Sequence, residues 1–116
     1  MENILEAKAS LRNHRGSARK ARLVLDMIRG KGVDEAKNIL EFSNKRVSKD
    51  IQKLLTSAVA NAHQVAGRAE TKNMTISKAF ADDGMIMKRH RMRARGNVNL
   101  IRKRYCHITL CLIVIK

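Results

Sequence analysis

Gly84 to Arg104 reads GMIMKRHRMRARGNVNLIRKR, and how this stretch is accommodated decides the fold. It carries Lys88, Arg89, Arg91, Arg93, Arg95, Arg102, Lys103 and Arg104, and no Asp or Glu follows Asp83. Side chains of this kind cost too much to bury unpaired, so the stretch cannot build a core of its own. Eight cations within 17 residues also repel one another unless something negative offsets them. The stretch is therefore solvated or bound to a polyanion.

Its flanks show how it is held. Before it, Met74 to Phe80 (MTISKAF) alternates in part, with Met74, Ile76 and Phe80 on one face and Lys78 as the interruption, as in a half-buried strand. After it, Ile108 to Ile115 (ITLCLIVI) is β-branched and almost wholly apolar, the pattern of a strand covered on both faces. Two such strands joined by a basic segment form a hairpin whose arms continue past the body as a two-stranded ribbon. A ribbon alone in water is marginal, so its tip is expected to be mobile in the free chain and ordered by a polyanion.

Further out, Ile4 to Arg12 alternates cleanly, with Leu5, Ala7, Ala9 and Leu11 on one side and Glu6, Lys8, Ser10 and Arg12 on the other. It reads as a third, half-exposed strand, antiparallel to one of the later two. Ser17 is an expected N-cap for a helix over Ala18 to Arg29 that stops at Gly30. Ala21, Val24, Leu25 and Ile28 make its core stripe. Asp34 is expected to cap a short helix over Glu35 to Phe42, with Ala36, Ile39 and Leu40 inward, and Ser43 and Asn44 to break and cap again. A third helix shows the stripe Val47, Ile51, Leu54, Leu55, Ala58, Ala62 and Val65 and ends at Gly67, before a polar connection from Gly67 to Asn73. The expected fold class is α+β, with three helices packed on a small antiparallel three-stranded sheet, two strands of which extend into a long basic β-hairpin. Residues 1–116 read as a single domain, its globular body at about 1–83 and 104–116 and its extended hairpin at about 84–103.

Charge narrows the function. The chain has 25 Lys and Arg against 10 Asp and Glu, a net +15; the 33 residues from Gly84 onward hold nine of the cations and none of the acids, and so carry +9 of it. Such asymmetry marks a nucleic-acid surface. A second basic stripe, Arg15, Arg19, Arg22 and Arg29, lies at helical spacing beside Lys20. By itself it reads as a solvated face; its place at a helix start, where backbone N–H groups attract phosphate, and the planar fork of arginine make phosphate contact an equal alternative, and both readings stay open. Aromatic stacking platforms are missing, Tyr105 being the sole candidate, so recognition through phosphate, sugar and RNA shape is expected over base reading.

Other classes are excluded or disfavoured. His14, His63, His90 and His107 are scattered, Asp34-Glu35 and Asp82-Asp83 read as a helix start and a turn, and Gly30-Lys31-Gly32 lacks the spacing of a phosphate loop. No catalytic residue, metal site or cofactor is expected. Cys106 and Cys111, five apart on a strand, fall on opposite faces, which speaks against a mutual disulfide or a zinc site with His107 and fits a reducing compartment. No membrane span and no secretory signal are visible, so a cytoplasmic protein is expected.

Several stretches together resemble one family. Arg12-Asn-His-Arg-Gly-Ser-Ala-Arg-Lys-Ala-Arg-Leu-Val-Leu-Asp-Met-Ile-Arg-Gly-Lys31, Leu55-Thr-Ser-Ala-Val-Ala-Asn-Ala62, Met87-Lys-Arg89, Arg93-Ala-Arg-Gly96 and Ile101-Arg-Lys-Arg-Tyr-Cys-His-Ile-Thr109 resemble the bacterial-type L-twenty-two family of large-subunit ribosomal proteins, in order and over nearly the whole chain. Ala18 and Met92 stand where the family often has Pro, and Asn99 where it often has an acid. The resemblance implies a structural constituent of the large ribosomal subunit, its body on the outer surface and its hairpin threading rRNA to line the nascent-peptide exit tunnel. By position it places Met87, Lys88, Arg89, His90, Arg91, Met92, Arg93, Ala94 and Arg95 at or near the tunnel-lining tip. The expected partners are 23S-type rRNA, neighbouring large-subunit proteins and the nascent peptide, with no membrane and no homo-oligomer. The rRNA-binding residues expected from charge and resemblance together are Arg12, Arg15, Arg19, Lys20, Arg22, Arg29, Lys31, Lys88, Arg89, Arg91, Arg93, Arg95, Arg102, Lys103 and Arg104. A bacterial cytoplasm and an organellar ribosome both fit. The competing reading is a free-standing basic regulator that binds nucleic acid through its ribbon.

Overall fold

The computed structural model describes residues 4–67 and 71–115. Strand β1 (Ile4–Arg15) is followed by helices α1 (Ala18–Ile28), α2 (Val33–Glu41) and α3 (Val47–Ala66), then by strands β2 (Met74–Met92) and β3 (Val98–Ile115). The sheet order is β1-β3-β2, antiparallel throughout, so the most apolar strand takes the centre. Part of the expected connection from Gly67 to Asn73, residues 68–70, lies outside the described residues.

The core forms on one face of this sheet. Ile108, Leu110, Leu112 and Val114 of β3 are fully buried there, flanked by the small side chains Ala7 and Ala9 of β1 and Ala79 and Ala81 of β2. Small residues on the flanking strands let helices approach closely: α3 packs mainly on β1 and α1 on β2. The helices deliver the stripes that their spacing predicts, Ala21, Val24, Leu25 and Ile28 from α1 and Ile51, Leu54, Leu55, Ala58 and Ala62 from α3. Among the described residues no helix covers the opposite face of β3, although Thr109 and Cys111 are buried on it. Their cross-strand neighbours Ser10, Phe80, Lys8 and Lys78 supply the cover, since long basic side chains lay their methylene stems along apolar surface.

Local expectations are corrected in several places. Val65 is exposed, and Val59 and Ala66 are buried in its stead, because the α-helical repeat drifts around the axis over twenty residues. Gly32, not Asp34, precedes α2, leaving Asp34 in the first turn beside the positive helix end. Ser17 occupies the N-cap of α1 in extended conformation, but its hydroxyl makes no capping bond. Ser43 and Asn44 end α2 without capping α3, whose N-cap is Arg46; the Ser43 hydroxyl instead accepts from that of Ser48, 2.9 Å away. Phe80 points out and Ala79 and Ala81 point in, because Ser77 is an extra residue between the pairs Ile76↔Leu112 and Lys78↔Cys111. Such a bulge reverses the parity of everything beyond it.

The same bulge sets which carbonyls face outward on the β2 edge, and α1 closes that edge. Gly30 N–H donates to the Ile76 carbonyl and Ile76 N–H to the Lys31 carbonyl, each at 3.0 Å. Farther along, the Arg29 guanidinium donates to the Ala79 carbonyl and that of Arg22 to the Ala81 carbonyl, through Nε at 3.0 Å and Nη2 at 2.8 Å. On the other edge, Asn61 of α3 donates Nδ2 to the Lys8 carbonyl at 3.0 Å. Unpaired edges template aggregation, and in the body the β2 edge takes partners from the backbone after α1 and from two arginines, while the β1 edge takes the Asn61 amide.

Two more bulges mark where the body ends. Arg12 and Asn13 together oppose His107, with Asn13 in the left-handed region (φ 56) donating its N–H to His107 Nδ1 at 3.0 Å. Gly84 and Met85 together oppose Tyr105. A Cβ at Gly84 would stand 3.1 Å from the Tyr105 carbonyl oxygen and 3.3 Å from His107 Nε2, so a side chain here would force the neighbouring strand to give by a few tenths of an ångström. Beyond it, from Ile86 and Arg104, β2 and β3 run on as a two-stranded ribbon, whose root is still held where the Gly16 N–H donates to the Arg104 carbonyl at 2.9 Å.

Candidate nucleic-acid interface

The free ribbon pairs Ile86↔Arg104 through Met92↔Val98, six residue steps, or about 20 Å at the usual rise. It gives a molecule only 25 × 17 Å across a length of 70 Å. Directly opposed residues share a face, so Lys88 with Arg102, His90 with Leu100 and Met92 with Val98 line one side, and Met87 with Lys103, Arg89 with Ile101 and Arg91 with Asn99 the other. Both faces carry cations near the body. At the far end they differ, one apolar with Met92, Val98 and Leu100 exposed, the other polar with Arg91 and Asn99.

Residues 93–97 make the turn. Arg93 N–H donates to the Asn97 carbonyl at 2.6 Å, Arg95 sits in the left-handed region (φ 61) and Gly96 follows at φ 73. Of the residues expected at the tip, Arg93, Ala94 and Arg95 belong to this turn, and Met87, Lys88, Arg89, His90, Arg91 and Met92 climb toward it along β2. Every residue from Lys88 to Leu100 is exposed.

The basic stripe beside the first helix divides in the structure. Arg15 is the last residue of β1, not part of the helix. Arg22 and Arg29 direct their guanidinium groups at β2 carbonyls, and Arg29 also pairs with Asp26 at 2.6 Å. Lys31 lies 3.9 Å from Glu35. Arg12 and Arg19 are exposed. Arg15, Lys20, Arg102, Lys103 and Arg104 converge on a groove of about 1240 Å³ between the start of α1, the segment preceding α3 and the root of the ribbon. Lys45 and Arg46 complete it, two residues that periodicity passes over because they belong to no apolar stripe. The signal available for them is a pair of adjacent cations just before a helix start. Asp50 is the acid in this lining; it lies 3.6 Å from His14 Nδ1, which ties β1 to α3.

Nothing in the remaining chemistry points to a reactive centre. The Cys106 thiol is pushed above its ordinary pKa by burial and secondarily by Asp83, and that of Cys111 by burial and then Glu6, so both stay protonated and poorly nucleophilic at neutral pH. Both are free. Among the described residues no three His, Cys, Asp or Glu side chains come together as metal ligands, and no helix is long and apolar enough to cross a membrane.

Comparison with known proteins gives the arrangement a context. Residues 9–113 match the family model described as ribosomal protein L22p/L17e. The chain is 50% identical over 107 residues to a large ribosomal subunit protein uL22 of Leptospira biflexa serovar Patoc (strain Patoc 1 / ATCC 23582 / Paris), covering 92% of each protein. It is 51% identical over 106 residues to the protein of the same name in strain Patoc 1 / Ames, covering 91% of each. A family match across body, ribbon and central strand, with identity of this order, means that the chain belongs to the ribosomal protein L22p/L17e family, a structural and non-enzymatic family of the large ribosomal subunit.

Proposed function

We propose that this protein binds large-subunit rRNA through the charge and shape of its ribbon and of the body surface at the ribbon's root, and that the hairpin reaches through the RNA to border the path of the nascent peptide. The observation that carries this reading is a two-stranded ribbon, cationic and free of acids, that projects about 20 Å past the last covered sheet edge. A structure with both edges open and few apolar contacts of its own has no reason to extend so far in water. Surrounded by phosphate, its exposed backbone and its cations find partners together. Neighbouring large-subunit proteins are the further partners in this reading, the protein acts as a single copy in the cytoplasmic ribosome, and Met87 to Arg95 lie on the tunnel side.

Sucrose-gradient fractionation of a lysate tests it. The protein is expected to travel stoichiometrically with large subunits and to remain there after a high-salt wash, because contacts along a threaded ribbon must release together. Replacing Lys88, Arg89, Arg91, Arg93 and Arg95 by neutral residues should weaken binding to large-subunit rRNA and flatten its log–log salt dependence by about 3.5 to 4.5. Unchanged affinity in that variant, or migration of the native chain as a small free protein, would turn the reading toward a free regulator.

A further inference from the structure

We infer that the outer edge of β1 is a docking site for another protein, which adds an extended acidic segment to the sheet as a fourth strand and places one apolar side chain between β1 and α3. The inference rests on the reading that neighbouring large-subunit proteins are partners, and it names the surface and the chemistry of one such contact. The two edges of the sheet are closed unequally. Along β2, the backbone of Gly30 and Lys31 and the guanidinium groups of Arg29 and Arg22 meet one outward group after another. From Glu6 to Ser10 of β1, among the described residues, the Lys8 carbonyl alone is met, by Asn61 Nδ2 at 3.0 Å.

Antiparallel pairing fixes which groups stay open. The N–H and C=O of successive residues point alternately toward and away from the paired strand, so the outward Lys8 carbonyl puts the groups of Glu6 and Ser10 on the same open side. All three residues are exposed. An edge of this kind offers donors and acceptors in alternation, which another polypeptide backbone matches and a phosphate chain, rich in acceptors alone, does not. Asn61 already supplies there the kind of donor that a partner strand would bring. An exposed lysine blunts an edge against chance pairing, but Lys8 does not account for the pocket beside it.

That pocket, of about 240 Å³, lies on the helix side of the edge, with Leu11 and Leu54 as its apolar part and the exposed Ser10, Lys53 and Ser57 around them. Its acid, Asp50, lies 3.6 Å from His14. Successive residues of a strand face opposite ways. An added strand that sends an apolar residue toward Leu11 and Leu54 therefore turns the next ones to the open face of the sheet, where Lys8 and Arg12 are exposed and acidic side chains find partners. A second copy of this chain is the poorer occupant, because each copy carries a net +15.

The test uses the full chain in purified large subunits, with a photo-reactive benzophenone side chain replacing Glu6 in one sample and Ser10 in another. Both should crosslink to a single protein segment, at points about four residues apart in it, because paired strands advance together. Crosslinks to rRNA, to a second copy, or to protein residues without that step overturn the site, as does the lack of any protein crosslink in subunits that contain the chain. Ser10→Pro removes an N–H on the open side and leaves the pairing of β1 with β3 intact; it should lower the Glu6-position crosslink roughly five- to tenfold. Ser10→Ala keeps that N–H and should crosslink as the native chain does. An equal loss in Ser10→Ala would assign the effect to the hydroxyl, and an unchanged yield in Ser10→Pro would deny the added strand; either result overturns the proposal. A chain that never enters large subunits removes the ribosomal reading and this site with it, and the gradient fractions show that outcome before any crosslinking.

Discussion

At the scale of single residues, the junction of body and ribbon depends on what three positions lack or tolerate. Gly84 lacks a Cβ, which would meet the Tyr105 carbonyl oxygen at 3.1 Å, Asn13 tolerates a left-handed conformation, and His107 accepts the Asn13 N–H at Nδ1. Gly84→Ala would press a methyl group against backbone, which cannot swing aside as a side chain can. We expect a loss of about 1 to 3 kcal/mol in urea-induced unfolding, within the range for overpacked sites. A midpoint unchanged from the native protein would show that β2 relaxes there at no cost. Sequence marks Gly84 only as a glycine before a basic run. The need for it is invisible until the register places it beside Tyr105.

At the scale of elements, α1 does two tasks that its sequence presents as one. The apolar stripe Ala21, Val24, Leu25 and Ile28 is buried as its period predicts. The arginines beside it were legible as a basic stripe, but Arg22 and Arg29 close the edge of β2, because a guanidinium can fork onto one carbonyl and satisfy a backbone acceptor that has no strand partner. Arg22→Ala should cost about 1 kcal/mol of stability and, by baring the Ala81 carbonyl, raise the tendency to self-associate; urea unfolding and sedimentation read the two effects. Arg22→Lys should recover only part of the loss, since an ammonium presents no fork. Full recovery by lysine would mean that charge near the edge, not the forked hydrogen bond, is what matters.

At the scale of the whole molecule, a single strand belongs to two environments. From Cys106 to Val114, β3 is the centre of a sheet with its core face fully buried; from Val98 to Arg104 it is half of an unsupported ribbon. Local stability follows buried apolar contact and paired neighbours, so amide hydrogen exchange should divide within this one strand. Amides of 98–104 are expected to exchange far faster than those of 106–114 in the free protein, and to slow when large-subunit rRNA is added. Uniform protection along β3 without RNA would show that the ribbon is stable by itself.

Amino-acid order alone determined the α+β class, the strand character of the Ile108–Ile115 run, the inward faces of α1 and most of α3, and the basic ribbon. These follow from period and composition, which act within a few residues of one another. Tertiary structure decided the rest. Bulges at Ser77, Asn13 and Gly84 arise from how neighbouring strands fit, and a one-residue slip exchanges Phe80 for Ala79 and Ala81 in the core. The division of the arginines between sheet edge and open surface, and the meeting of Lys45 and Arg46 with Arg102 to Arg104, join residues far apart in the chain. Charge is written in the sequence, but which charges face one another depends on distances that only the packed chain sets.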